Sequence, residues 1–290
     1  MKKSPTQEKQ GLLGFTLIEL SIVLVIIGLI VGGVLVGQDL IKAAEVRATI
    51  GQYEKYNAAI NTFRTKYNGM PGDLVAAQAA AFGIYQGSGT TGLGDGNGLI
   101  TDTAATNINA PVGETLIFWR HLTDANLTDG SFGTALTAST AQAAAGSNAP
   151  GDFVPGTKIG RGTYWLAGSS AGLNYYGLVG LSAITGGAAA TATYVDTFAL
   201  TPIESFNIDS KLDDGKPNTG IVQARGTAFS TTVDGTFGTL SSTNAATNDA
   251  STPAAGDCTT TGASTESSAT YARGSTPGNS PACNLRMRFN

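Results

Sequence analysis

Residues 15–37, FTLIELSIVLVIIGLIVGGVLVG, are hydrocarbon broken by one ionisable group, Glu19. This run limits the chain more than any other feature in it. A helix of about 20 apolar residues crosses a bilayer core ~30 Å thick. A helix apolar on every side has no face to turn toward water. The run is therefore read as a membrane-spanning helix. Lys2, Lys3 and Lys9 precede it. Basic flanks stay cytoplasmic, which sends the C-terminal body across the membrane. An ordinary secretory signal ends in a small-residue cleavage site after its apolar core. Here the run continues through GLIVGGVLVGQDL into polar helix with no convincing site of that kind. On hydropathy alone the segment is an uncleaved anchor.

Glu19 asks for more. A carboxylate at membrane depth is costly and is expected to have a partner. The letters GFTLIE at residues 14–19, followed by the long apolar run, resemble the N-terminal signal of type IV pilins and type II secretion pseudopilins. The strong part of the resemblance covers residues 11–40. It implies that a prepilin peptidase cuts between Gly14 and Phe15 and methylates the new N-terminus. Gly14 suits that site, because a side chain there would obstruct the protease. The apolar helix stays, with Phe15 as the first mature residue. Its new ammonium would lie beside Glu19 of a neighbouring subunit in a filament. Because a buried charge left without its partner is strongly destabilising, that pairing would set the axial register between copies.

The same resemblance implies a set of partners. These are other pilin or pseudopilin subunits, an assembly ATPase, an inner-membrane platform protein and, in a two-membrane cell, a secretin. Membrane lipid surrounds the helix before assembly. The implied location is the inner membrane with the body outside the cytoplasm, then a periplasmic or extracellular filament. No enzymatic activity and no cofactor are expected.

The expected architecture is α+β: a long helical spine packed on a loop-rich globular domain with a small antiparallel sheet. Residues 1–14 are the leader, 15–38 the apolar helix, 39–68 an amphipathic helix and 69–290 the globular domain. After Gly37, the residues Val46, Ile50, Tyr53, Tyr56, Ile60, Phe63 and Tyr67 recur three or four apart, which is helical spacing. NGMPGD at 68–73 stops that helix. Gly28, Gly32, Gly33 and Gly37 weaken the apolar half and permit close helix approach.

Further along, residues 73–82 are expected as a short helix capped by Asp73, and 114–127 as a helix with Leu116, Ile117, Trp119 or Phe118, Leu122 and Leu127 available for a buried face. Residues 134–152 read as a flexible linker. Tyr- and Trp-rich strands are expected at 162–168 and 174–184. Thr201, Pro202 and Glu204 form a capping box ahead of a helix that turns Ile203, Phe206, Ile208 and Leu212 inward. A strand is expected over 220–229, then irregular surface structure from 230 to 284. The segment IDSKLDDGKPNTG, 208–220, also looks like one found in large pilin-like proteins.

Charged residues make up 13 % of the chain and 39 residues are glycine, which favours loops. Acid outweighs base beyond the leader, so charge gives little reason to bind nucleic acid, and no direct nucleic-acid partner is expected. His121 is the only histidine, and Cys258 and Cys283 are the only cysteines, so a Cys/His metal cluster is excluded. Many pilins carry a C-terminal disulfide loop. The resemblance, with the oxidising side of the membrane, implies a Cys258–Cys283 bond; two free thiols are the alternative.

Some pseudopilins bind calcium, and oxygen ligands of that kind exist here. Asp95 and Asn97 lie in GDGNG, and Asp209, Asp213 and Asp214 lie in IDSKLDDG. Neither group has the spacing or closing Glu of the twelve-residue calcium loop, and Asp-Gly turns account for both equally. GSSAG at 168–172 fits G-x-S-x-G with Ser170 as nucleophile, but that arrangement needs a later histidine, and His121 lies upstream. The competing expectation for the whole chain is a membrane-anchored surface-binding or adhesion protein that never polymerises. It predicts an intact leader and a replaceable Glu19.

Overall fold

The computed structural model describes residues 16–86, 94–100, 113–133, 147–170, 172–185, 193–198, 200–225, 258–259, 270–273, 281 and 283–289. The expected leader, with Gly14, and Phe15 lie outside the described residues. The chain divides into two units, Met1–Ala44 and Glu45–Asn290.

Helix α1 runs from Leu17 to Tyr67. Thr16 starts it: the Thr16 N–H and hydroxyl both donate to Glu19 Oε2 at 2.8 Å, and the Glu19 N–H returns to Thr16 Oγ1 at 3.4 Å. This is a reciprocal cap, T-x-x-E, which satisfies donors that the first helical turn leaves unpaired. In the first unit the large apolar side chains of α1, from Leu17 to Ile41, are exposed. By length and composition this part is able to cross a membrane.

In the second unit α1 becomes two-faced. Val46, Tyr53, Tyr56, Ile60, Phe63 and Tyr67 are buried and Ile50 is half-buried, as the spacing predicts. Ile60 and Phe63 are wholly enclosed. Fully burying side chains of this size contributes about 1.5–3 kcal/mol each. The helix ends where expected, with Asn68 in the left-handed region at φ 52°.

Against this face lies an antiparallel α+β body. Helix α2 is Ala76–Ala81, α3 Glu114–Asp124 and α4 Pro202–Leu212. The strands are β1 Ser147–Asn148, β2 Thr163–Ser170, β3 Leu173–Thr185, β4 Thr193–Thr197, β5 Val222–Arg225 and β6 Asn284–Arg288. Strand β3 is the hub. It pairs with β2 from Thr163↔Gly180 to Ser170↔Leu173, with β6 from Tyr175↔Arg288 to Leu178↔Leu285, and with β4 and β1 at its far end. Strand β5 adds to β6.

Unpaired sheet edges invite pairing with other chains. Here the outer edge of β2 is held by the preceding loop, through Trp165 N–H to Pro155 O and Thr157 N–H to Thr163 O. Gln52 of α1 clamps the same loop at Gly156 O and Lys158 N–H. On the other side, the Ala224 N–H of β5 donates to Pro217 O.

Aromatic rings fill the space between α1, α3 and the sheet. Tyr56 meets Trp119 at 5.0 Å, Trp165 meets Tyr176 at 5.9 Å and Tyr176 meets Phe289 at 4.3 Å between centroids. Edge-on and tilted contacts of this kind add to area burial.

Several local expectations need correction. Asp73 does not cap α2, which starts at Ala76 behind Val75 with no side-chain cap. Ile203 is exposed, whereas Ile208 is buried as expected and Phe206 and Leu212 are half-buried; Ser205 and Asp209 also turn inward on α4. The supposed linker at 134–152 holds β1 and a 3₁₀ turn at Pro150–Asp152; residues 134–146 lie outside the described part. Of the described residues between 230 and 284, Cys258, Tyr271, Ala272, Cys283 and Asn284 are buried, whereas Thr270, Arg273 and Pro281 are exposed, so the expected surface location holds only in part. Strand β6 was legible yet unread: Leu285, Met287 and Phe289 alternate with Arg286 and Arg288, the period of a half-buried strand.

Candidate functional site

Three groups of chemistry-bearing residues stand out, each assembled differently. The first is the start of α1. Glu19 is exposed, and its carboxylate is held by Thr16 within its own chain. Thr16 was missed in reading the sequence for function, although T-x-x-E ahead of an apolar run is a legible capping signal.

The second group gathers around Asp73. Its Oδ1 accepts the Gly96 N–H at 2.7 Å and its Oδ2 the Gly98 N–H at 2.6 Å. Burial raises the Asp73 pKa, while these two N–H groups oppose the rise. Gly94 lies so close that a Cβ there would strike the Asp73 backbone. Asp95 and Asn97, the predicted oxygen ligands, face each other: Asp95 Oδ1 takes the Asn97 N–H at 2.9 Å and Oδ2 the Asn97 side-chain amide at 2.8 Å. Asn97 Oδ1 in turn takes the Leu99 N–H at 2.6 Å. Asp73, Asp95 and Glu114 bring one carboxylate oxygen each within 4.8 Å of one another. Sequence reasoning found Asp95 and Asn97 but not Asp73 or Glu114, which come from distant segments. These are the residues able to present oxygen to a cation, and their acceptors already receive N–H groups of the chain.

The third group is at the end of α4. Asp209, Asp213 and Asp214 also bring oxygens within 4.8 Å of one another. Asp209 is wholly buried and accepts the Tyr271 hydroxyl at 2.8 Å and the Gly215 N–H at 3.2 Å. Asp213 Oδ2 accepts the Ile221 and Val222 N–H groups. Gly220, at φ 77°, is obligatory there, since a Cβ would run into the Asp213 carboxylate. Asp214 accepts the Lys216 N–H at 2.9 Å and the Thr219 hydroxyl at 2.6 Å. The three acids thus fold the turn that leads into β5.

Beside them Cys258 and Cys283 are bonded, with 5.1 Å between Cα atoms. Cys283 also exchanges both backbone hydrogen bonds with Leu200. The capping box at Thr201 and Glu204 forms as expected, and Arg161 adds an ion pair to Glu204 at 2.8 Å.

The remaining predicted residues carry no catalytic geometry. Ser170 ends strand β2 at a β-hairpin, whereas a nucleophile elbow joins a strand to a helix. His121 is buried, with Nδ1 accepting the Gly72 N–H at 2.9 Å and Nε2 facing Tyr85 O at 2.7 Å. It ties two loops to α3.

One concavity joins the end of α1 to the Asp73 knot. It measures about 460 Å³ and lies over Asn68, Met70 and Gln78.

No family model matches the chain, and neither a curated protein nor a solved structure matches it.

Proposed function

We propose that this chain is a structural subunit of a type IV pilus-like filament or of a type II secretion pseudopilus, and that its activity is assembly rather than catalysis. The observation that carries the reading is the first part of α1, a helix with exposed Leu, Ile and Val side chains from Leu17 to Ile41, headed by the carboxylate of Glu19, the one ionisable group between residues 15 and 37. Lipid solvates such a surface before assembly, and other copies of the same helix cover it afterwards. Prepilin peptidase releases residues 1–14 and exposes the amine of Phe15. That amine then competes with Thr16 for Glu19 and, in a neighbouring copy, fixes the axial step. The assembly ATPase, the platform protein and, where an outer membrane exists, a secretin act on the processed chain. The globular unit lies outside the cytoplasm, which agrees with the bonded cysteines.

The deciding experiment is intact mass of the N-terminal peptide from cells with and without active peptidase. Loss of residues 1–14 plus one methyl group is expected. A full-length N-terminus in the presence of active enzyme would overturn the reading and favour a permanent surface anchor. Independently, Glu19→Ala should abolish recovery of the chain in sheared filaments while leaving its membrane level unchanged.

A further inference from the structure

The concavity at the end of α1 has the composition of a binding site, and its chemistry narrows the occupant. Its volume of about 460 Å³ is in the range of small-molecule sites. The lining is polar. Met70 supplies apolar floor, and the walls are the last turn of α1, Gln78 of α2, and the Gly96–Gly98 loop. An apolar ligand would leave those polar groups unpaired, which is unfavourable.

The mixed charge of the lining disfavours two further classes. Asp73 forms one wall, with carboxylate oxygens of Asp95 and Glu114 within 4.8 Å of its own. A phosphate or sulfate would meet that negative field. Arg64 also lines the cleft and repels a simple cation. A neutral ligand rich in hydroxyl groups is compatible with both.

The hydrogen-bonding groups are oriented in advance. Gln78 Nε2 donates to Tyr67 O at 3.0 Å and to Asn68 O at 3.3 Å, and its Oε1 accepts no hydrogen bond among the described residues. The Thr65 hydroxyl donates to Asn61 O at 2.8 Å, leaving its oxygen lone pairs as acceptors. Arg64 provides donors in a planar fork. Gly96 and Gly98 leave the backbone of the loop bare, and a Cβ at Gly98 would meet nothing within 4 Å. Fixed donors and acceptors lower the ordering cost of binding. Phe82, at the C-terminus of α2 and one turn beyond Gln78, is 49 % exposed and rests edge-on against Tyr67 at 5.1 Å. Phe82 does not itself line the cleft, and its exposed flat ring suits the C–H face of a sugar ring.

We propose that this cleft binds a neutral saccharide of one or two units, gripped by Arg64, Thr65 and Gln78. The site belongs to the globular unit alone and stands whether or not the chain polymerises.

The test uses the full chain in a detergent without sugar headgroups. Amide resonances are followed while glucose, galactose, N-acetylglucosamine, maltose and lactose are added to 50 mM, with inorganic phosphate and calcium chloride as separate arms. At least one saccharide should shift the Gly96 and Gly98 amides and the Gln78 side-chain amide with saturation in the millimolar range. Arg64→Gln and Thr65→Val sit at exposed positions, and each should weaken that binding at least fivefold without moving distant resonances. The proposal is overturned if no saccharide shifts these groups, if only phosphate or calcium does, or if both substitutions leave the affinity unchanged.

Discussion

The Tyr271 hydroxyl donates to Asp209 Oδ2 over 2.8 Å, and both residues are cut off from water. Tyr271 belongs to the segment closed by Cys258 and Cys283, and Asp209 to α4, so this contact fastens one to the other. Phe206 of α4 reinforces it, with Tyr271 edge-on at 6.1 Å and the Arg273 guanidinium 3.7 Å above the ring.

Burial pushes the Asp209 carboxyl up to about 7, while the Tyr271 and Gly215 hydrogen bonds oppose it and the Asp214 and Asp213 charges add to it. A carboxyl raised on folding makes the native state bind more protons than the unfolded one. Its stabilising effect is complete below about pH 4 and is lost as pH rises to about 7. The size is on the order of 4 kcal/mol. Urea titrations from pH 5 to 8 should show the decline, and Asp209→Asn should flatten it.

His121 acts in the opposite direction. Burial holds its imidazole down at about 4, with the Tyr85 carbonyl pulling upward. The native state then binds fewer protons than the unfolded one, so stability falls as pH drops from about 6.5 to 4, by roughly 3 kcal/mol. As the single histidine, it gives one imidazole resonance, which should titrate near pH 4 rather than 6.5.

Asp73→Ala should cost about 2–3 kcal/mol. It removes the acceptor of the Gly96 and Gly98 N–H groups, and hydrogen bonds to a charged group are worth about 1.5–3 kcal/mol. Thermal unfolding measures the loss. Asp73→Asn keeps one acceptor oxygen and should recover part of it.

Tyr176 and Tyr53 offer a paired control. Among the described residues the buried Tyr176 hydroxyl has no hydrogen-bond partner, whereas the Tyr53 hydroxyl donates to Arg288 O at 2.7 Å. Tyr176→Phe should leave stability unchanged or raise it slightly. Tyr53→Phe should lower it by about 1 kcal/mol.

Reduction of the Cys258–Cys283 bond, which closes a separation of 25 residues, should cost roughly 3–4 kcal/mol in the chain-entropy account. Thiol titration of the unfolded chain should find reactive thiol only after a reductant is added.

Residues 15–37 and the run from Val46 to Tyr67 declared themselves in the letters alone, because helical period and hydrocarbon content act within a few turns. The cap at Thr201 and Glu204 was legible for the same reason: its partners are three residues apart. Strand β6 carried a legible alternation, but its place beside the hub strand β3 did not follow from it. Asp73 stapling Gly96 and Gly98, Tyr53 reaching Arg288, Tyr271 reaching Asp209 and the cleft below α1 were decided only by the tertiary structure. Their partners lie 23 to 235 residues apart. Which distant groups meet depends on which packing buries the apolar faces together while satisfying each enclosed polar atom, and no local pattern encodes that choice.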